Sequence, residues 1–378
     1  MKSQHDNLVE AARLGDVKKV EELLDAGANP NTTEDDEWWT PLSAAAHGGH
    51  YNTVSLLLDR GADPNKLDKR GDAPPLWWAV LGSNDAIVRL LLREGANPDK
   101  TNKAGMTPLA MAVATQKVNV IYALLQTKVD VNKSDDNQIT PLMRAAMQGD
   151  RFVTLMLLNK GADPAMQNDR GKTALIFAVR KNNHDVVEYL LGKKDRAQNI
   201  LDIHDHKGRT ALHFAILKKN VDMIEQLCDA GANTVKQDYE QRTPLMYAVL
   251  GGDDKVVETL LDAGVALYHQ DKEGETALNH AVRRGNKDLV KTLLEYDALT
   301  QPADKSCYDH RNKSGEKLED IARANNDKEM FHMLRDWKDG QKGLRREFLK
   351  AKREKVSGTQ SQQRQEMRRY LARRMTKD

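Results

Sequence analysis

One short sequence block recurs along most of this chain at a nearly constant spacing, and this repetition limits the possible folds more than any other feature. The block opens on Thr-Pro-Leu or a close variant, as in "TPLMRAAMQGD". A weaker copy starts at Asp6 and another at Lys317. A chain of 378 residues with this period is expected to stack small units rather than build one core. The eight clear copies start, at spacings of 34, 33, 33, 33, 37, 33 and 33 residues, at Thr40, Pro74, Thr107, Thr140, Thr173, Thr210, Thr243 and Thr276.

Each copy has the composition of two short helices joined by turns. Thr is a good helix N-cap, and Pro suits the first helical position because it has no N–H to leave unpaired. A short alanine-containing helix follows, then a break at Gly or Asn, then an amphipathic second helix such as "VSLLLDRGADPN". The Gly of "GAD" or "GAN" suits a left-handed helix C-terminus. A polar stretch such as "KQDYEQR" leads into the next copy and is expected to form a β-turn, here called a finger.

This pattern resembles the ankyrin repeat. The match rests on T-P-L-x-x-A, then an apolar "LL", then G-A-D or G-A-N, at a period of about 33 residues. The resemblance covers roughly residues 5–337 and implies a mainly α solenoid of about ten helix-turn-helix repeats with β-turn fingers. It implies capping repeats near 5–36 and 311–337, and a concave groove that binds a protein partner. We assign residues 1–337 to this solenoid and 338–378 to a basic tail.

Three departures from the pattern are visible. In the copy that begins at Thr107, "TKVDVN" replaces the glycine-capped "GADVN" type of ending. The stretch "GKKDRAQNILD" after Leu191 and the segment 298–310 are longer than in the other copies. Both insertions follow a second helix, where the connection to the next finger is expected to bulge.

Charge is unevenly distributed along the chain. The whole sequence has a formal net charge of +2, whereas residues 338–378 carry 14 Lys/Arg and 5 Asp/Glu, a net of +9, and residues 1–337 a net of −7. No apolar run is long enough to span a membrane, and the first residues lack a secretory-signal pattern. The two cysteines, Cys228 and Cys307, fit a reducing compartment. We expect a cytoplasmic location, or a host cytosol if the protein is delivered as an effector.

Four of the five tryptophans lie in two adjacent copies, in "WWTPL" at 38–42 and "PPLWWAV" at 74–80. Aromatic side chains dominate interface hot spots because they bury a large area with few rotors. We predict that Trp39 and Trp78 are exposed in the groove. For Trp38 and Trp77, burial between repeats and exposure both stay open.

The residue four positions after the N-cap forms a row along the stack, here called the cap+4 row. We expect Phe177 and Phe214 to pack between repeats, and Arg144 to be exposed or paired, because an unpaired buried charge is costly. The members of the row are Trp78, Met111, Arg144, Phe177, Phe214, Tyr247 and His280.

The predicted groove changes from apolar and acidic at its N-terminal end, with Asp36 and Glu37, to basic at its C-terminal end. This suits a partner with an acidic segment and a separate apolar anchor. A solvating role is the alternative for any single Lys or Arg. The predicted partner-binding residues are Trp39, Trp77, Trp78, Met106, Arg144, Arg170, Arg180, Lys181, Arg209, Tyr239, Arg242, Arg283 and Arg284.

Motifs for catalysis, cofactors and metals are not found. His204, His206 and His213 could begin a metal site, but His213 occupies the helix-start position at which the resembled family often has histidine. No P-loop, G-x-G-x-x-G, G-x-S-x-G or H-E-x-x-H occurs, and the tail is too short for a catalytic domain. We expect neither an enzyme nor a cofactor or metal site.

The tail reads as two short basic amphipathic helices, in "GLRREFLKAKREKV" and "QRQEMRRYLARRM", joined by "SGTQSQQ". It could contact an acidic protein surface, neutralise nucleic-acid phosphates or lie on an anionic membrane, or stay solvated and partly disordered.

The leading hypothesis is a non-catalytic protein-interaction module, expected to be monomeric. The alternatives are tail-driven binding of nucleic acid or an anionic surface, and an effector that blocks an enzyme by binding it.

Overall fold

Pairs of short helices account for most of the structure. The computed structural model describes residues 4–33, 39–69, 73–192, 194–300 and 307–338. They belong to a first unit, Met1–Gly192, and a second unit, Lys193–Asp378. The described residues contain no strand, and none of their helices is long and apolar enough to cross a membrane. Trp38, Asp36, Glu37 and the tail beyond Lys338 lie outside the described residues.

In the first unit, six helix pairs follow one another, with odd numbers for first helices and even numbers for second helices. They are α1 (Gln4–Leu14), α2 (Val17–Asp25), α3 (Pro41–Gly48), α4 (Tyr51–Asp59), α5 (Pro75–Leu81), α6 (Asp85–Arg93), α7 (Pro108–Ala114), α8 (Val118–Leu125), α9 (Pro141–Gln148), α10 (Arg151–Asn159), α11 (Ala174–Arg180) and α12 (His184–Leu191).

In the second unit, the insertion after Leu191 forms an additional helix, α13 (Lys194–Ile200), rather than an irregular bulge. The other insertion extends α19, and a 3₁₀ turn at Cys307–Asp309 follows. Residues 328–338 form a helix that follows α20 in the chain. The remaining helices are α14 (Ala211–Leu217), α15 (Val221–Asp229), α16 (Pro244–Gly251), α17 (Asp254–Asp262), α18 (Ala277–Arg283), α19 (Lys287–Thr300) and α20 (Leu318–Ala324).

In six of the eight clear copies the starting threonine caps the first helix with its side chain, as the sequence predicts. Thr140 Oγ1, for example, accepts the N–H of Met143 over 3.2 Å, which satisfies an amide that has no partner within the helix. Pro74 replaces this threonine in one copy and provides no side-chain cap. The same bond is made by Thr40, Thr107, Thr173, Thr243 and Thr276.

Alanines let neighbouring first helices approach closely. Ala44, Ala45 and Ala46 of α3 are fully buried, and α3 contacts α1 on one side and α5 on the other. The second helices add larger apolar side chains, such as Val54 and Leu57 of α4, which are also fully buried. The core of each unit therefore lies between the two helix layers, and the fingers project from it.

Main-chain hydrogen bonds join consecutive fingers. The N–H of Asp169 donates to the carbonyl of Asn137 over 3.2 Å, and the N–H of Tyr239 donates to the carbonyl of Lys207 over 3.0 Å. The fingers approach so closely that Gly208, with φ of +79°, has no room for a side chain: a Cβ there would lie 2.6 Å from the nitrogen of Tyr239. Within each unit, adjacent fingers thus present their side chains in a fixed register.

The copy that begins at Thr210 uses a buried histidine as a second cap. His213 is fully buried, and its Nδ1 accepts the N–H of Thr210 over 3.2 Å, so the ring is neutral and carries its proton on Nε2. Burial lowers the pKa of His213 to about 4. The sequence assignment of this histidine to a helix start is therefore correct.

His213 is expected to make the protein less stable as the pH falls. The pKa of His213 in the folded protein is below the value of about 6.5 in the unfolded chain. Above about pH 6.5 the histidine is neutral in both states and does not change the stability. Below about pH 6.5 the unfolded chain binds a proton that the folded protein does not bind, which favours unfolding. Between about pH 7.5 and about pH 5 this costs about 2 kcal/mol of unfolding free energy. The matched variant is His213→Asn, because Asn279 already accepts the N–H of Thr276 in the equivalent place.

Urea unfolding of the wild type and of His213→Asn at the two pH values measures this contribution. The variant should lose less stability than the wild type by about the same 2 kcal/mol. Equal losses would show that His213 does not resist protonation.

Candidate functional site

A buried or half-buried Asp or Asn lies at the base of each finger that the structure describes, and it organises the turn. Asp135 is 6% exposed, and its Oδ1 accepts the N–H groups of Asn137 and Ile139, both over 2.9 Å. Asp238 binds two amides of its own finger in the same way, over 2.9 and 2.8 Å. One carboxylate oxygen is thereby used by the turn. The other, Oδ2, faces the first helix and needs its own donor, because a buried carboxylate oxygen without one is costly.

The cap+4 row supplies that donor. Tyr247 Oη donates to Asp238 Oδ2 over 2.7 Å, and His280 Nε2 lies 2.8 Å from Asp271 Oδ2. Arg144 Nη2 pairs with Asp135 Oδ2, and Trp78 Nε1 donates to Asp68 Oδ2. Burial and the Asp238 carboxylate both raise the pKa of Tyr247, so its hydroxyl remains a donor.

Where the residue at the finger base is Asn instead of Asp, the cap+4 residue is apolar. Asn102 is combined with Met111, Asn168 with Phe177 and Asn312 with Ile321. An amide has no second anionic oxygen, so a donor four residues after the cap is not required.

One copy departs in residue type but keeps the same physical arrangement. Phe214 cannot donate to Asp205, and Arg209 donates to Asp205 Oδ2 instead, over 3.1 Å from Nε and 2.7 Å from Nη2. The guanidinium lies 4.7 Å from the centre of the Phe214 ring. Burial alone would raise the pKa of Asp205, but the bonds from Arg209 and from the amides of Arg209 and Lys207 hold it below its usual range.

The tryptophans form a packed cluster rather than an open groove patch. Trp77 and Trp78 are each 8% exposed, so the prediction that Trp78 is exposed was wrong: its indole N–H is committed to Asp68. For Trp77 the structure selects burial. Trp39 is half-buried, with its ring 4.9 Å from that of Trp78 and 4.9 Å from that of His47. Among these three tryptophans, Trp39 alone keeps substantial exposure.

The two buried tryptophans should respond differently to the same substitution. Trp78→Phe leaves the buried Asp68 oxygen without its indole donor, whereas Trp77→Phe removes an N–H that finds no acceptor among the described residues. We expect Trp78→Phe to cost about 2 kcal/mol more unfolding free energy than Trp77→Phe. Urea unfolding at neutral pH measures both. Equal costs, or a larger cost for Trp77→Phe, would contradict the assignment.

Of the last two predicted arginines of the groove, Arg283 is neutralised by acids that the sequence interpretation missed. Arg283 Nη2 lies 2.5 Å from Glu275 and 2.8 Å from Glu316, and Arg284 Nη1 donates to the carbonyl of Leu250 over 2.6 Å. Burial would raise the pKa of Glu275, which is 5% exposed, but Arg283 and Asn312 hold it below its usual range. The prediction of a basic C-terminal end is therefore wrong for Arg283, whereas Arg284 stays exposed and bonds only a main-chain carbonyl among the described residues.

The residue before each N-cap carried the missing signal. Read along the chain, this position is first apolar, then basic and finally acidic: Trp39, Ala73, Met106, Ile139, Lys172, Arg209, Arg242, Glu275 and Glu316.

Four of the predicted partner-binding residues have a cationic or aromatic group that is at least partly exposed to solvent. In the second unit, Tyr239 is 56% exposed and Arg242 is half-buried. In the first unit, Arg170 and Lys181 are exposed. Within the described part of the chain, no carboxylate side chain pairs with Arg242, Arg170 or Lys181. Of the others, Met106 and Arg180 are half-buried, and Arg144 is paired, as one of the two sequence alternatives proposed.

The described residues contain neither a metal-binding cluster nor an activated thiol. They contain no group of three His, Cys, Asp or Glu side chains that could hold a metal ion. Burial raises the pKa of Cys228 to about 11, and burial with the nearby Asp297 raises that of Cys307. Both thiols are therefore protonated at neutral pH and are poor nucleophiles.

Comparison of the sequence with known proteins identifies repeat proteins as relatives of this chain. A family model described as ankyrin repeats (3 copies) matches residues 8–102, 76–168, 153–238, 175–271 and 233–305. A putative ankyrin repeat-containing protein of Treponema pallidum (strain Nichols) is 34% identical over 88 residues, which are 23% of this chain and 30% of that protein.

Two further relatives are similar over comparable lengths. Dauer abnormal formation protein 25 of Caenorhabditis elegans is 36% identical over 84 residues, 22% of either chain. Ankyrin repeat and SAM domain-containing protein 6 of Rattus norvegicus is 33% identical over 82 residues, 21% of this chain and 9% of that protein. The chain matches less than a third of each relative's length.

Proposed function

Because this chain belongs to the ankyrin repeat family, whose members are generally protein-interaction modules, we propose that it binds a protein partner along its fingers and first helices. This role is non-catalytic and cytoplasmic. Rigidity favours it, since fingers held in register by main-chain bonds lose little entropy on binding. Blocking an enzyme is one possible consequence of such binding.

The proposal rests mainly on the exposed side chains of the finger of residues 237–242. Tyr239 projects from it with 56% of its surface exposed, and its ring makes an edge contact of 5.5 Å with His204 of the preceding finger. Arg242 lies 5.9 Å from the Tyr247 ring centre and, among the described residues, has no carboxylate partner. An exposed aromatic ring beside an uncompensated guanidinium is the composition typical of an interface hot spot.

The neighbouring arginines define what the partner must bring. Arg209 and Arg283 already have internal carboxylates, so they add little net attraction. Arg242 and the exposed Lys207 remain to attract an acidic group. The partner segment therefore carries an Asp or Glu next to a side chain that packs on Tyr239.

The first unit, taken by itself, has its own exposed cations at Arg170 and Lys181, and Trp39 offers the accessible edge of the tryptophan cluster. We assign Trp39 as an apolar anchor, with Trp77 and Trp78 supporting it from beneath.

Affinity capture followed by calorimetry tests this surface. The full-length wild type, Tyr239→Ala/Arg242→Ala and the matched control Tyr268→Ala are compared with nuclease present; Tyr268 is 53% exposed but belongs to no predicted site. A partner retained by the wild type and the control should bind the double variant at least about 30-fold more weakly, since hot-spot truncations cost 2 kcal/mol or more. Equal affinity for all three proteins would reject the surface.

The same experiment addresses the basic tail, which is favoured as a second candidate by its net charge of +9. Binding would be assigned to phosphate contacts instead if capture is lost with nuclease or falls steeply with salt. In that case the double variant should be captured as well as the wild type.

A further inference from the structure

Exposed apolar side chains cluster on three second helices of the first unit. The outer patch consists of Val118 and Tyr122 of α8, Phe152 and Leu155 of α10, and Tyr189 of α12, exposed by 46, 52, 63, 37 and 36% respectively. α10 contacts α8 and α12 on its two sides, so the five side chains share one face. The second helices do not form the finger face, so this patch is separate from the proposed partner site.

The patch is unusual for this chain, in which 30% of residues are charged. α8 reads "VNVIYALL" and has no ionisable group other than Tyr122, whereas the second helix α17 reads "DKVVETLLD", with four charged residues. The Arg151 guanidinium lies over the Phe152 ring, 4.7 Å from its centre, and Arg151 also lies 3.5 Å from Asp185. A solvated surface does not need these side chains.

The patch is large enough to form the centre of an interface. Its side chains expose roughly 400 Å² of apolar area, within the range of about 300–600 Å² for the largest patch of a typical monomer. A stable protein interface buries about 800 Å² on each partner, so the patch supplies about half and the surrounding polar residues the rest. This area fits a weak, reversible association.

The charges at the two edges of the patch are complementary to each other. The α8 edge has the half-buried Lys117, and the α12 edge has two exposed acids, Glu188 and Asp185, of which Asp185 pairs with Arg151. A two-fold axis along α10 would set α8 of one copy against α12 of the other and bring Lys117 close to Glu188. An axis across the helices would instead place the acidic α12 edges together, which is unfavourable.

We propose that the outer patch is a self-association surface, through which two copies of this chain form a weak two-fold dimer with α10 at its centre. This differs from the monomer expected from the sequence. It leaves the finger face of both copies free for a partner.

Sedimentation velocity of the full-length protein from about 1 to about 100 µM tests the proposal. The wild type should change from the mass of one chain to that of two with a micromolar midpoint, as an interface of this size implies. Phe152→Asp should raise the dissociation constant at least about 30-fold. The matched control Tyr268→Asp, at a side chain 53% exposed in the second unit, should associate like the wild type. Because Phe152 is 63% exposed, its substitution does not enter the core, and an unchanged urea midpoint verifies this.

Charge reversal distinguishes the two-fold dimer from nonspecific association. Lys117→Glu or Glu188→Lys alone should weaken the dimer about tenfold, and the double variant should restore it. A wild type that is monomeric throughout the concentration range, a Phe152→Asp variant that associates normally, or a double variant that is not restored would each overturn the proposal.

Discussion

The buried carboxylate at the finger base is the constraint on which the rest of this structure depends. One oxygen of Asp135, Asp238 or Asp271 binds the amides of its turn, and the other must be satisfied from the first helix. Because a carboxylate removed from water without donors costs several kcal/mol, the cap+4 residue cannot vary independently of the finger base. Among the described fingers, Asp therefore occurs with Trp, Arg, Tyr or His, or in one copy with Phe214 and a donor from Arg209, and Asn occurs with Met, Phe or Ile.

This constraint divides the polar and aromatic side chains of the face into two groups. Trp78, Arg144, Tyr247 and His280 complete the repeat itself, and Arg209 performs the same task from within its finger. The second group, with Tyr239 and Arg242, is left over after the internal requirements are met. Recognition is proposed for this second group because its members have exposed surface or unpaired charge to offer a partner.

The sequence predicts those parts of the structure that arise from local chemistry. Threonine caps, left-handed turns and helix pairs follow from residue type and spacing, and the insertions fall where predicted. The burial of Trp78 could not be predicted from the sequence, because it depends on a hydrogen bond to Asp68, ten positions earlier in the chain. The paired state of Arg283 was missed because Glu275 and Glu316 were not read as one position of the repeat. The outer patch depends on three helices being adjacent, which no single copy reveals.

A double-mutant cycle between Asp238 and Tyr247 tests the central constraint most directly, with unfolding free energies measured in urea. Tyr247→Phe should cost about 2 kcal/mol alone and less than half of that in the Asp238→Asn background, which recreates the Asn and Phe combination of Asn168 and Phe177. A coupling energy of about 1 kcal/mol or more supports the account. Additive costs would mean that the carboxylate and the cap+4 donor do not depend on each other, and would contradict it.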